Sequence, residues 1–211
     1  MIAALLALVL LAGTAEALDV PLEPYRAASL TGVVGTVTGR IYAEARTPNG
    51  PVQPLTGTTV TLLPRSQALI LELERLKEQS RQSAKAFTAA APAMRKAQEA
   101  YERALLQAGA PDLAPRISVA ADGAFRLTEV PAGDWLVVAW HSAPVDTSTP
   151  QGSARERQIY QLDKRLTGFQ SVTVWLREVA VARGETASLE LTDRNGWFRG
   201  VIEEKVLDTG R

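Results

Sequence analysis

The chain has 211 residues, of which 46% are hydrophobic and 22% charged, and its 23 basic side chains balance 23 acidic ones. That composition is globular, and the balance leaves no overall field to draw the molecule to nucleic acid or an anionic lipid surface. The lack of cysteine excludes disulfide scaffolds, thiolate zinc sites, iron–sulfur clusters and cysteine nucleophiles, and a single histidine, His141, excludes sites that need two imidazoles.

Ile2 to Gly13 form a continuous apolar run followed by Thr14-Ala15-Glu16-Ala17. The run is shorter than the roughly 20 residues of a membrane-spanning helix. It matches the apolar region of a signal peptide, and Ala15-x-Ala17 supplies the small residues that a signal peptidase accepts. Residues 1–17 are therefore expected to be a signal peptide, with a mature chain starting near Leu18 in the periplasm or outside the cell. No Lys or Arg precedes the run, so either the α-amino group is its one positive charge or translation starts upstream. Thr14 stands where a lipidated protein would need cysteine, so no lipid anchor and no membrane span are expected after cleavage. Residues 18–31, with Pro21 and Pro24, read as an extended leader.

From Gly32 to Ala45 the pattern is β: Val34, Val37, Ile41 and Ala43 interleave with Thr36, Thr38, Arg40 and Tyr42. Pro48-Asn49-Gly50-Pro51 is a turn, and Thr58 to Leu63 is a second strand. Ile117 to Ala120 and Ala124 to Thr128 flank the Asp122-Gly123 turn. Further strands are Trp135 to His141, Val172 to Val181, Thr186 to Thr192 after Arg183-Gly184, and Trp197 to Ile202. Seven or eight short strands with turn signals between them predict a mainly β protein built as an antiparallel sandwich.

Residues 66–110 interrupt the strands. Ser66 is a candidate N-cap, and Leu69, Leu73, Leu76, Ser80, Ser83 and Phe87 recur at coiled-coil spacing. A second run places Met94, Ala97, Tyr101, Leu105 and Ala108 on one face, ended by Gly109-Ala110-Pro111. One continuous helix would extend roughly 65 Å at about 1.5 Å per residue. The link from Gly109 to Arg116 spans at most about 28 Å, too short to return the chain to the sheet. The segment must therefore double back as a helical hairpin, and Pro92, which cannot donate a helix hydrogen bond, places the fold-back near Thr88 to Pro92.

Four strand segments share a pattern: Gly39-Arg40-Ile41-Tyr42; Pro54-Leu55-Thr56-Gly57-Thr58-Thr59-Val60-Thr61-Leu62; Ala121-Asp122-Gly123-Ala124-Phe125-Arg126-Leu127; and Val130-Pro131-Ala132-Gly133-Asp134-Trp135. In this order they resemble the carboxypeptidase regulatory-like domain over residues 32–64 and 116–141, and more loosely 171–192. The resemblance implies a transthyretin-like (prealbumin-like) β-sandwich comprising residues 32–65 and 116–205. It does not account for the helical insert at 66–110, since members of that family bridge the same gap with a few residues. Nor does it imply peptidase activity, because the zinc ligands of such enzymes lie in a separate domain.

No residue is expected to be catalytic or to hold a cofactor or metal, and the chain reads as a non-enzyme. His141 with Ser142 and Asp146 has the residue types of a hydrolytic triad, but a partly buried rim histidine satisfied by backbone explains it better. No G-x-S-x-G, H-E-x-x-H or glycine-rich phosphate loop occurs, and Asp146, Asp163, Asp193 and Glu203-Glu204 lack calcium-loop spacing. Trp135, Trp140, Trp175 and Trp197 read first as packing residues. By strand alternation Trp175 falls with Thr173 and Arg177 on the polar face, so Trp175 and Trp197 are the candidates for stacking on a sugar. Two isolated helices bury little apolar area, so the hairpin should pack on the sandwich, self-associate or engage a partner. Leu69, Leu73, Leu76, Phe87, Met94, Tyr101 and Leu105 are the candidate partner-binding residues. The function that follows is a non-catalytic exported adaptor, with the sandwich as a base and the hairpin as a projecting arm for an envelope or extracellular protein. The alternative is a carbohydrate-binding module of the starch-binding-like sandwich type. Residues 143–170 suggest a loop over Pro144 to Ser153 and a short helix over Ala154 to Leu166, with no evident role.

Overall fold

The computed structural model describes residues 18–47, 50–145 and 166–205. In chain order these form α1 (Glu23–Leu30), β1 (Val34–Ala43), β2 (Gln53–Pro54), β3 (Thr59–Pro64), α2 (Gln67–Ser80) and α3 (Ala84–Gln107), then β4 (Arg116–Ser118), β5 (Ala124–Pro131), β6 (Gly133–Val145), β7 (Leu166–Val181), β8 (Thr186–Thr192) and β9 (Phe198–Lys205). The expected signal peptide and residues 146–165 lie outside the described residues; Pro144 and Val145, expected to begin a loop, instead end β6 paired with β7, and Leu166, expected to end a short helix, begins β7.

The strands form a β-sandwich. One sheet places β1 between β8 on one edge and β5 and β2 on the other, and the second runs β4-β3-β6-β7-β9, antiparallel throughout. Alternation along β1 sends Val37 and Ile41 inward while Arg40 stays exposed. Between the sheets, Val37, Ile41, Val60, Leu62, Phe125, Trp135, Val137, Trp175 and Leu191 form one apolar core. At the Asp122-Gly123 turn, Gly123 adopts φ 83°, and the Asp122 carboxylate accepts the Ala124 N–H at 2.9 Å.

The sheet edge at β8 differs from the antiparallel pattern the turns suggested. Residues 182–185 carry the chain from one sheet to the other, so β8 pairs in parallel with β1, Thr36 opposite Thr186 through Tyr42 opposite Thr192. Gly35 allows that crossing. A Cβ there would come within 2.8 Å of the Ala182 and Glu185 carbonyl oxygens.

The helical hairpin forms a third layer. It lies flat against the outer face of the five-stranded sheet and does not project as an arm. Leu69, Leu73, Ala90, Ala91, Met94, Tyr101 and Leu105 pack on Leu63, Leu136, Val138, Trp140, Val172, Val174 and Phe198. This explains the unbroken apolar run Trp135–Trp140: odd positions face the sandwich interior and even positions face the helices, so both faces of β6 are covered.

The fold-back lies at Arg81–Ser83, earlier than Pro92 suggested. Ser66 caps α2 by accepting the Leu69 N–H at 3.0 Å, and Ser83 caps α3 by accepting the Ala86 N–H at 3.1 Å. Pro92 sits inside α3 on its exposed side, where water can reach the Thr88 carbonyl that loses its helix partner. The leader also departs from the extended reading, because Pro24 occupies the first turn of α1, where a missing N–H costs nothing. Helix α1 buries Tyr25 edge-on against Trp135, with ring centroids 5.0 Å apart, and the Tyr25 hydroxyl donates to the Asp134 carbonyl at 2.5 Å.

Candidate functional site

Two concavities flank α3. The larger, a cavity of about 660 Å³, is a groove between α2 and α3 that reaches the first described residue, Leu18. Its floor is apolar and finely graded in size: Leu69 and Leu76 from α2 face Ala93, Ala97, Ala100 and Ala104 from α3. The alanines recur at helical spacing on one face of α3 and are half-buried, so a stripe of methyl groups lines the groove. Glu72, Arg75 and Lys96 contribute charge around it, and Arg75 is held by Glu72 at 2.7 and 2.5 Å. Where Leu18 meets the groove, the Asp19 carboxylate accepts the Ser66 hydroxyl at 2.6 Å and the Ala68 N–H at 2.7 Å. Burial raises the Asp19 pKa, but these hydrogen bonds outweigh it and hold the group below its ordinary value. Tyr101 closes the base by donating to the Pro64 carbonyl at 3.1 Å, and burial pushes its phenol well up.

The smaller cavity, about 190 Å³, is a polar cleft between α3 and the outward face of the sheet. Thr59 and Thr61 of β3, Trp140 and Ser142 of β6, Arg116 of β4 and Arg95, Gln98 and Glu99 of α3 line it. A chain of hydrogen bonds fixes its walls. Trp140 Nε1–H donates to Gln98 Oε1 at 2.6 Å, and Gln98 Nε2–H donates to Glu102 Oε1 at 2.7 Å. Arg116 grips both Glu102 oxygens at 2.8 and 2.6 Å and reaches Thr61 Oγ1 at 3.2 Å through Nε. The Arg95 guanidinium lies over the Trp140 ring, 5.0 Å from its centroid.

The candidate hairpin residues separate into three groups. Leu69, Leu76 and Tyr101 line the groove, Leu69 and Tyr101 while also buried against the sheet. Leu73, Met94 and Leu105 turn to the sheet and are consumed in packing. Phe87 is on the surface in the second turn of α3, 38% exposed.

The sugar-stacking candidates are placed differently from expectation. Trp175 is fully buried between the sheets, where its indole donates to the Thr192 carbonyl at 2.8 Å. The face it shares with Thr173 and Arg177 is the sandwich interior, so it offers no ring to a glycan. Trp197 is half-buried, donates to Glu74 Oε1 at 2.8 Å and carries Lys77 Nζ 4.5 Å above its ring. Trp135 and Trp140 are likewise buried.

His141 is a partly buried rim histidine as expected, but its partner is a side chain and not backbone. Its Nδ1 lies 3.0 Å from Thr58 Oγ1, whose own proton goes to the Leu55 carbonyl at 2.6 Å, so Nδ1 must be the donor. Burial lowers its pKa. Among the described residues no group of three or more His, Cys, Asp or Glu side chains could hold a metal ion, and no helix is long and apolar enough to cross a membrane.

The polar cleft was missed by sequence reasoning because β3, β6, α3 and β4 bring its residues together from distant positions. Gln98 carried the one readable signal. It occupies a core position with Met94, Tyr101 and Leu105, where a polar side chain needs partners.

No family model matches the chain, and no curated protein sequence matches it. Among solved structures, a candidate carbohydrate-binding protein of Pseudomonas aeruginosa is 13% identical, with 82% of this chain and 97% of that one aligned at a TM-score of 0.42. The pilus backbone of Streptococcus pneumoniae is 13% identical over 75% of this chain and 41% of that one, at a TM-score of 0.25. Likenesses this distant carry no conclusion about the function of this chain.

Proposed function

We propose that the protein is an exported, non-catalytic binding module that receives one helix of an envelope or extracellular protein in the groove between α2 and α3. The observation that supports this most is the groove itself. A cavity of about 660 Å³ with a methyl-lined floor and charge around it is the shape into which an amphipathic helix lays its apolar face. The alanine stripe lets a third backbone approach closely, while Glu72, Arg75 and Lys96 can set its direction. Export rests on the apolar run at residues 2–13 and the Ala15-x-Ala17 site.

The test is site-directed photocrosslinking in the native envelope, with the probe at Ala97 in the groove or at Ser188 on the opposite sheet. Ala97 should yield one discrete adduct, mapped to a helical segment of its partner, and Ser188 should not yield it. Filling the groove with Ala93→Trp should remove the adduct without lowering the melting temperature. An adduct equally strong from Ser188, or insensitive to Ala93→Trp, would sink the reading. Fractionation of the same cells checks export, since retention of full-length protein in the cytoplasm contradicts it.

A further inference from the structure

We infer that the polar cleft between α3 and β3, β4 and β6 is a binding site for a single neutral sugar unit, recognised by hydrogen bonding and not by ring stacking. The inference is independent of the helix-binding groove.

The cleft is a finished site on one side and unsatisfied on the other. The chain Trp140–Gln98–Glu102–Arg116–Thr61 ties its walls together, and Gln98, at its centre, is only 4% exposed. Such a network fixes side chains that would otherwise lose rotamer freedom on binding. Facing the space are groups with nothing to bind. Among the described residues Arg95 has no carboxylate within ion-pair distance, Glu99 has no cation, and the Thr59 and Ser142 hydroxyls have no hydrogen-bond partner. Contact with the Trp140 ring holds Arg95 in place without using up its N–H groups.

The chemistry of these groups selects the ligand. A simple anion would meet Arg95 but also Glu99, and a cation would meet Glu99 but also Arg95. A polyhydroxylated ligand satisfies both, because neighbouring hydroxyls can accept from the planar guanidinium and donate to the planar carboxylate. Thr59 and Ser142 can serve as donor or acceptor on the same ligand. The volume of about 190 Å³ corresponds to about six waters, room for one sugar ring and its hydroxyls. Trp140 is only 7% exposed with a guanidinium over its face, so ring stacking is closed here. Binding is therefore weak, since each hydrogen bond to the sugar replaces one to water.

The experiment is an NMR titration of the folded protein with D-glucose, D-galactose, N-acetyl-D-glucosamine and D-mannose in the millimolar range. Acetate and inorganic phosphate are run in parallel. At least one sugar should shift the Trp140 indole N–H and the Thr59 and Ser142 amides with one saturating isotherm, and the two anions should not. Arg95→Gln and Glu99→Gln lie on the surface of α3 and should leave the melting temperature unchanged. Each should weaken that sugar about tenfold, as expected for a lost hydrogen bond to a charged group. Three results would overturn the inference: no saturable shift with any sugar, shifts produced by the anions in place of sugars, or sugar binding that survives both substitutions.

Discussion

Asp19 and Ser66 jointly begin α2: Asp19 accepts the Ser66 hydroxyl at 2.6 Å, while Ser66 Oγ accepts the Leu69 N–H at 3.0 Å. A residue ahead of α1 thus closes the N-terminus of a helix that starts more than forty positions later, and Asp19 adds a bond to the Ala68 N–H. Replacing Asp19 by Ala, which removes a bond to the Ala68 N–H and the support of the Ser66 cap, is expected to cost about 0.5–2 kcal/mol of stability, the range of a lost capping interaction. Urea denaturation at neutral pH measures this. The sign with pH follows from the lowered pKa. Asp19 stabilises the fold fully above the ordinary carboxylate value of 3.8, and the contribution is lost as pH falls through the lower folded-state value. Asp19→Asn should therefore differ least from wild type in strong acid, and a gap that widens on acidification would refute the assignment.

Pro92 marks a local cost that tertiary packing overrides. A proline inside a helix costs about 3 kcal/mol or more, part of which returns because proline also restricts the unfolded chain. Met94 and Ala91 on either side are fully buried against the sheet, which keeps α3 continuous through the defect. Pro92→Ala should raise stability by about 1–2 kcal/mol. The midpoint in urea should move up with an unchanged slope, and a lower midpoint would mean that the ring packs against something the helix needs.

Pro92 also shows where a sequence underdetermines a fold. Its steric argument predicts a break, yet the break goes to Arg81–Ser83, where Ser83 can cap the next helix. Period-two alternation located most strands correctly, because each has an apolar side that must face inward. It failed at Trp175 for a related reason. Thr173 and Arg177 make that face look wet, but Arg177 escapes by donating to the Leu176 and Asn195 carbonyls, so the indole between them can still be buried. The parallel pairing of β1 with β8 was invisible because Arg183-Gly184 looks the same whether a turn joins neighbours or crosses between sheets. The groove was half legible: Leu69, Leu76 and Tyr101 carried an apolar signal, whereas the alanines opposite them look like ordinary helix formers.

His141 gives the molecule one titration near neutral pH. Nδ1 donates to Thr58, and burial disfavours the charged ring, so the folded-state pKa lies below the unfolded value of 6.5. The unfolded chain then binds the proton more readily, and stability falls as pH drops from 6.5 toward the folded value. With no other histidine present, a slope between pH 7 and that value should disappear in His141→Gln. Chemical denaturation at a series of pH values tests this, and a slope retained in the variant would assign it to another group. The same substitution should leave binding in the groove and in the cleft intact.

Trp175 and Trp197 looked alike in the sequence but should respond to truncation to very different degrees. Trp175 fills the space between the sheets and satisfies its N–H on the Thr192 carbonyl, so Trp175→Ala leaves a large cavity and an unpaired carbonyl. Its expected cost is about 3–5 kcal/mol, a large share of the roughly 5–15 kcal/mol that an ordinary domain has. Trp197 is half-buried and works as a strap, joining the start of β9 to α2 through Glu74 at 2.8 Å and Lys77 at 4.5 Å. Trp197→Ala should cost about 1–2 kcal/mol, since it loses one charged hydrogen bond and an exposed cation–π contact. Thermal melts with rising salt separate the two effects. The Trp197 contribution should shrink as the Lys77 and Glu74 charges are screened, while the Trp175 contribution should not. If Trp197→Ala abolished sugar binding at unchanged stability, the ring would be a stacking platform after all, and the hydrogen bond to Glu74 would be incidental.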